Sequence, residues 1–321
     1  MTANASESNL LPKPSSLQRD VLKTILYFDI FRHPLNPGEI YEYLPSNSTS
    51  LDEVHRACST PPLSGFLRED EGLYFLSQPS GDRGFVGDRR EKERRARRFM
   101  IVARTMAWII RGFPFVRGLG ISGELSKGVL SKDGDIDFVV VTSPKRVWIV
   151  RTLLILFKKT ILLNRKKFFC VNHFIAENYY SVTERNRYTA LEVATILPLF
   201  NVTFFSRFVA ENSWIRDYYP NIHPAPTGEV HEVRQGVLQK ILELPLNGAW
   251  GDRLDERLME WWRSIWRKRY RHLPEDKLTK LFRTEQSIST AYAGDFLSHI
   301  LGEYSGRLEA FGLVDAEGKT E

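Results

Sequence analysis

Two cysteines in 321 residues, Cys58 and Cys170, are too few for a disulfide framework, and neither sits at the close Cys/His spacing of a zinc site. No stretch reaches the roughly 20 consecutive apolar residues of a membrane-spanning helix. The most apolar window, Val147 to Leu163, is interrupted by Arg151, Lys158 and Lys159 and reads as a buried amphipathic helix. Residues 1–16 are polar and have no apolar centre of the kind a secretory signal needs, so they are expected to form a disordered lead. No internal repeat is visible. These absences set the expectation of a cytoplasmic protein with no membrane span. The chain is 42% hydrophobic and 26% charged, and its length allows two or three domains with a sizeable core. A net charge of +6 makes an anionic ligand attractive without choosing between triphosphate, tRNA, DNA and a lipid surface.

The chemistry concentrates between Gly118 and Val141. An apolar strand, Phe115 to Ile121, leads into the small-residue turn Ser122-Gly123. A short helical segment with Gly128 just beyond it comes next, and then a strand that opens Asp135-Ile136-Asp137 and continues Phe-Val-Val-Val. Side chains alternate faces along a strand, so Asp135 and Asp137 are expected to point the same way, about 6–7 Å apart. Two carboxylates so placed repel each other unless a cation lies between them, and paired oxygen ligands suit Mg²⁺. Upstream, glycine lets the backbone approach a ligand closely, and free amides at a helix start are donors to phosphate. The Ser122 hydroxyl offers one more hydrogen bond, and Lys127 or Lys132 offers a positive charge.

This pattern, Gly-Ile-Ser-Gly followed by Gly-Asp-Ile-Asp-Phe-Val-Val, resembles the signature of the polymerase-β-like nucleotidyltransferase superfamily. The resemblance implies an α+β fold, with a small mixed sheet flanked by helices. It also implies Mg²⁺ held by Asp135 and Asp137, and nucleoside triphosphate bound at Ser122, Gly123 and Lys127. The family usually carries a third carboxylate on a later strand. The next candidate strand, Phe168 to Ile175, offers Asn172 and His173 there, with Glu177 just beyond. As a block, Phe-Cys-Val-Asn-His-Phe-Ile followed by Tyr-Thr-Ala-Leu-Glu-Val-Ala is similar to a bacterial subgroup of uncharacterised nucleotidyltransferase-domain proteins, which also has Asn at the position of Asn172.

Around this core the chain divides into a lead (1–16), a winged-helix-like domain (17–80), the core with its leading basic helix (88–222), a helical C-terminal region (229–313) and a tail (314–321). Apolar residues at Val21, Leu22, Ile25, Leu26 and Phe28 mark a first helix. Two further helices, Gly38 to Leu44 and Leu51 to Cys58, precede a hairpin turning at Glu69 to Gly72. Its acidic tip and weakly basic third helix favour protein contact over base readout. The segment Arg89 to Arg98 reads as a helix with a charged face held by pairs such as Glu91 with Arg95, the alternative being a surface for tRNA or another polyanion. Thr189 to Glu192 has the form of a capping box opening a helix to about Leu199. Leu258, Trp262, Trp266 and Tyr270 form a stripe that belongs to a helix core face or, interleaved with arginines, to a base-stacking surface.

The leading functional expectation is a nucleotidyltransferase that moves a nucleoside monophosphate from a triphosphate to an unknown acceptor and releases pyrophosphate. The alternatives are a degenerate nucleotide-binding or protein- or DNA-interaction module, and a toxin-like or regulatory transferase acting on tRNA or protein.

Overall fold

The computed structural model describes residues 14–47, 49–77, 84–163, 166–223, 235–291 and 296–313. The expected lead falls almost wholly, and the expected tail entirely, outside them. The fold is α+β, with thirteen α-helices and two sheets among the described residues. The described residues form two compact units, one drawn from 1–89, 216–222 and 300–321, the other from 90–215 and 223–299.

In the first unit, three helices start on the same local device. Helices α1 (Ser16–Asp29), α2 (Pro37–Glu42) and α3 (Leu51–Ser59) begin after Ser15, Asn36 and Ser50, each in a reciprocal capping box with Gln18, Glu39 and Glu53 respectively. The cap satisfies amide donors that a helix start otherwise leaves unpaired. Strands β1 (Leu67–Asp70) and β2 (Leu73–Leu76) pair antiparallel through the two-residue turn Glu71-Gly72. Both turn residues adopt left-handed φ, 49° and 76°, the geometry that matches strand twist in a tight hairpin. The turn is thus shorter than the four residues expected from sequence. Leu35, between α1 and α2, adds an antiparallel bridge to Tyr74. Val21, Leu26, Ile40, Leu44, Val54 and Leu63 are buried in this unit.

The second unit is built on a five-stranded sheet. Its elements run from α4 (Phe85–Ile110), whose first residues belong to the first unit, through β3 (Val116–Ser122), α5 (Gly123–Ser126), β4 (Asp137–Thr142), α6 (Val147–Thr160), β5 (Cys170–Ala176), α7 (Arg187–Ala194), β6 (Leu197–Phe200) and α8 (Val202–Glu211). After α9 (Ile215–Tyr218), which beyond Ile215 belongs to the first unit, come α10 (Val237–Glu243), α11 (Gly248–Arg269), α12 (Glu275–Leu281), β7 (Ile288–Thr290) and α13 (Phe296–Ala310), which from Ile300 onward also belongs to the first unit. Strand order is β6-β3-β4-β5-β7, mixed: β4 and β5 are parallel and the other neighbours antiparallel. Alternation sends Leu119, Ile121, Phe138 and Val140 into a core shared with Ala103 and Ala107 of α4, Trp148 and Leu154 of α6 and Trp262 and Trp266 of α11.

The opposite face is where the site is organised. Gly118, Gly120 and Ser122 lie opposite Val141, Val139 and Asp137. A Cβ on Gly120 would sit 2.8 Å from Ile196 Cγ2 and 2.9 Å from Phe205 Cζ, so the missing side chain is what lets these residues close on the sheet.

Several elements differ from the sequence expectation. The helix expected to reach Leu199 ends at Ala194, and Leu197–Phe200 forms an edge strand instead; only an edge tolerates Pro198, which has no amide to give a second neighbour. The cap of α7 is Asn186, whose side chain accepts from the Thr189 amide at 2.9 Å, and not Thr189. A strand, β7, interrupts the C-terminal region expected to be helical throughout. Helix α6 starts with the apolar window at Val147 but ends at Thr160, short of Leu163; at its start Asp255 Oδ1 from α11 accepts from the amides of Trp148 and Ile149, both at 2.8 Å. The tryptophan stripe is a core face: Trp262 and Trp266 are buried, and the Arg151 guanidinium lies 5.1 and 4.9 Å from their ring centroids. No helix among the described residues is long and apolar enough to cross a membrane.

Candidate functional site

Ser122 ends β3, and the chain turns at Gly123, whose φ of +71° is left-handed and unstrained only for glycine. A Cβ there would meet Asp137 Oδ2 at 2.9 Å. Glycine is therefore required twice, for its backbone angle and for the space taken by the carboxylate. Ser122 is half-buried at the start of α5, and its side chain makes no capping hydrogen bond.

The loop from Lys127 to Asp135 is pinned from several sides. Glu124 Oε2 accepts from the Ser131 amide at 2.6 Å. The Leu130 amide donates to the Lys92 carbonyl of α4, and Arg95 donates to the Leu130 carbonyl at 3.0 Å. The Lys167 ammonium donates to the Lys132 carbonyl at 2.8 Å. Lys132 itself is exposed. Ile136 is fully buried and hydrogen-bonds to the backbone of Lys167 and Cys170, which turns its neighbours Asp135 and Asp137 to the other face. Asp135 lies just before β4 and not within it.

Asp135, Asp137 and Cys170 form one cluster, with a ligand atom of each within 4.8 Å of the others. The carboxylates therefore approach more closely than the spacing along a strand implies. Their proximity has an electrostatic consequence: burial, then repulsion from Asp135, push the Asp137 carboxyl up to about 7. A divalent cation between them would relieve both effects. Cys170 enters because β4 and β5 are parallel with Asp137 opposite Cys170. Burial and the two carboxylates drive its thiol far above the ordinary range, so it is held as a neutral thiol.

The three residues considered for a third acidic position are not brought together. Asn172 donates from Nδ2 to Cys170 Sγ at 2.8 Å, supporting the cluster's edge. His173 lies opposite Val139, one step further along the sheet, and burial, aided by Arg283, depresses its imidazole to about 4, so it is neutral. Glu177 follows the far end of β5, with its amide on the Thr142 carbonyl. From Asp137 to Thr142 the strand spans about 16 Å at the usual rise per residue, so Glu177 is remote from the cluster.

An acid does reach the turn, from a different element. Glu192 on α7 accepts from the Gly123 amide through Oε2 at 3.2 Å and from Lys127 Nζ through Oε1 at 2.7 Å. Lys127 also donates to the Gly123 carbonyl at 3.1 Å. Glu192 is close enough to Asp137 to help raise its carboxyl. The spacing from Thr189 to Glu192 alone places Glu192 in a helix cap. The signal that frees it is Asn186, three residues before Thr189, which is the better-placed cap for the same helix.

Comparison with family models, with curated proteins and with solved structures finds no match to this chain.

Proposed function

We propose that the chain is a Mg²⁺-dependent nucleotidyltransferase, transferring a nucleoside monophosphate from a triphosphate to an acceptor. The observation that carries this reading is the pairing of two clustered carboxylates, Asp135 and Asp137, with the Ser122-Gly123 turn, whose serine lies opposite Asp137 and whose glycine makes room for the Asp137 carboxylate. The donor set fits Mg²⁺ through the carboxylates, while the neutral Cys170 thiol is a poor partner for so hard a cation.

On this reading Asp135 and Asp137 hold the metal, and Ser122, the Gly123 amide and Lys127 orient the phosphate oxygens. When bound, the cation supplies charge neutralisation at the phosphates. The acceptor oxygen bonds to the α-phosphorus as the bond to the bridging oxygen breaks, pyrophosphate leaves, and the acceptor proton passes to water. The pinned loop fixes Asp135 relative to Asp137, which limits reorganisation as charge develops.

The same reading takes the first unit, with its three helices, hairpin and Leu35–Tyr74 bridge, as a winged-helix-like module. The acidic run Glu69 to Glu71 at its hairpin favours a protein contact over DNA. One observation favours the alternative of a nucleotide-binding protein without transfer activity: Cys170 stands opposite Asp137 where β5 would offer an acid.

Incubation of the protein and its Asp137→Asn variant with α-labelled nucleoside triphosphates, Mg²⁺ and cell lysate tests the proposal. Label should enter RNA, protein or a small molecule with wild type only. Equal labelling by both, or none by either, contradicts it.

A further inference from the structure

Two of the donors expected to hold phosphate, the Gly123 amide and the Lys127 ammonium, are already occupied. The Glu192 carboxylate takes the Gly123 amide and the Lys127 ammonium with its two oxygens, the arrangement a phosphate presents when it spans two donors. The ion pair is partly shielded, with side-chain exposures of 13% for Lys127 and 25% for Glu192, so water does not simply dissolve it. Asp137 Oδ2 lies 2.9 Å from where a Cβ on the same glycine would sit. Glu192 is thus next to the metal-ligand pair but outside the group whose ligand atoms lie within 4.8 Å.

We propose that Glu192 is an internal stand-in for phosphate that keeps the subsite closed, and that it joins Asp135 and Asp137 as the third carboxylate once phosphate displaces it. The proposal rests on the nucleotidyltransferase reading and adds to it how the site is regulated. Its physical basis is charge. With no cation present, an incoming polyphosphate must displace one carboxylate from Lys127 and then lie beside three acids. With a cation at Asp135 and Asp137, the displaced Glu192 gains a new partner as it loses Lys127. Metal and polyphosphate therefore favour each other's binding, and the coupling runs through this side chain. The third acid is missing from β5 because α7 supplies it, from a position that strand-by-strand reading of the sequence does not reach.

The test is calorimetric titration of the full-length protein with inorganic tripolyphosphate, with and without Mg²⁺, for wild type, Glu192→Gln, Glu192→Asp and Lys127→Gln. Circular dichroism checks that each variant is folded. Glu192→Gln should bind metal-free tripolyphosphate about tenfold more tightly than wild type, in the usual range of coupling between two sites. It should also lose most of the enhancement that Mg²⁺ gives the wild type. Glu192→Asp, with its charge retained but its reach shortened, should fall between the two and serves if the Gln variant does not fold. Lys127→Gln should bind more weakly in both conditions. If wild type binds with Mg²⁺ but neither Glu192 variant binds metal-free ligand more tightly, the stand-in is overturned and the nucleotidyltransferase reading stands. If no protein binds tripolyphosphate in either condition, both fall together.

Discussion

Ser122 and Asp137 are directly opposite each other across the antiparallel strands β3 and β4. That register locks the glycine turn to the carboxylate. A slip of one residue would send Asp137 to the face that carries Phe138 and Val140, into an apolar core where a carboxylate has no place. The hydrophobic alternation of β4 therefore positions the site as well as stabilising the sheet.

Gly123 is the least replaceable residue of the turn. Alanine there would hold a left-handed φ and press its Cβ to 2.9 Å from Asp137 Oδ2. Gly123→Ala should lose about 1–3 kcal/mol of stability and lose divalent-ion binding with it. Urea denaturation and a metal titration check both; wild-type behaviour in the two would refute the role given to the glycine.

Gly120 makes a separate point about packing. Its Cβ would meet Ile196 and Phe205 at under 3.0 Å, so Gly120→Ala should cost about 1–3 kcal/mol through overpacking. The expected reading is a lower urea midpoint with an unchanged m-value. A midpoint equal to wild type would mean that the two side chains yield freely.

Asp255 should make stability depend on pH. Burial is the largest influence on it and raises its carboxyl to about 6 from an ordinary 3.8, despite the amides of Ile149 and Trp148 and the nearby Arg146; Asp252 adds to the rise. A carboxyl raised by folding is more protonated in the native state, so its contribution is full below about pH 4 and is lost as pH rises through about 6. The loss amounts to about 3 kcal/mol at most. Asp255→Asn should flatten this part of the stability profile between pH 4 and 7 relative to wild type. Parallel profiles for the two proteins would show that Asp255 does not titrate in that window.

Trp266 distinguishes a core role from a binding role for the aromatic stripe. Its ring lies 5.8 Å from Trp148, 5.6 Å from Trp262 and 5.2 Å from Phe282, centroid to centroid. Trp266→Ala should cost about 3–5 kcal/mol, read as a large fall in melting temperature. A wild-type melting temperature would return the stripe to the surface.

Much of the fold could be read from local chemistry. The capping residues Ser15, Asn36 and Ser50 mark three helix starts, and the apolar run after Asp137 marks β4. Strands of three or four residues carry too few side chains for a periodic pattern; the turn at Glu71-Gly72 still marked β1 and β2, whereas among the described residues no tight hairpin turn marks β6 and β7. At the site, Ser122, Gly123, Asp135 and Asp137 are close in sequence and could be grouped from spacing alone. Cys170 and Glu192 could not. Cys170 arrives through a parallel strand pairing, and Glu192 through a helix 65 residues beyond Lys127 whose cap had two candidates. Such contacts are set by tertiary packing and leave no local trace.

The most direct test of the metal site is titration with Mn²⁺ in place of Mg²⁺, followed by electron paramagnetic resonance, on wild type and on Asp135→Asn and Asp137→Asn. The wild type should remove free Mn²⁺ signal at a saturable site, and each variant should leave that signal close to the level seen without protein. Variants that bind Mn²⁺ as tightly as wild type would contradict the claim that these two carboxylates share a cation.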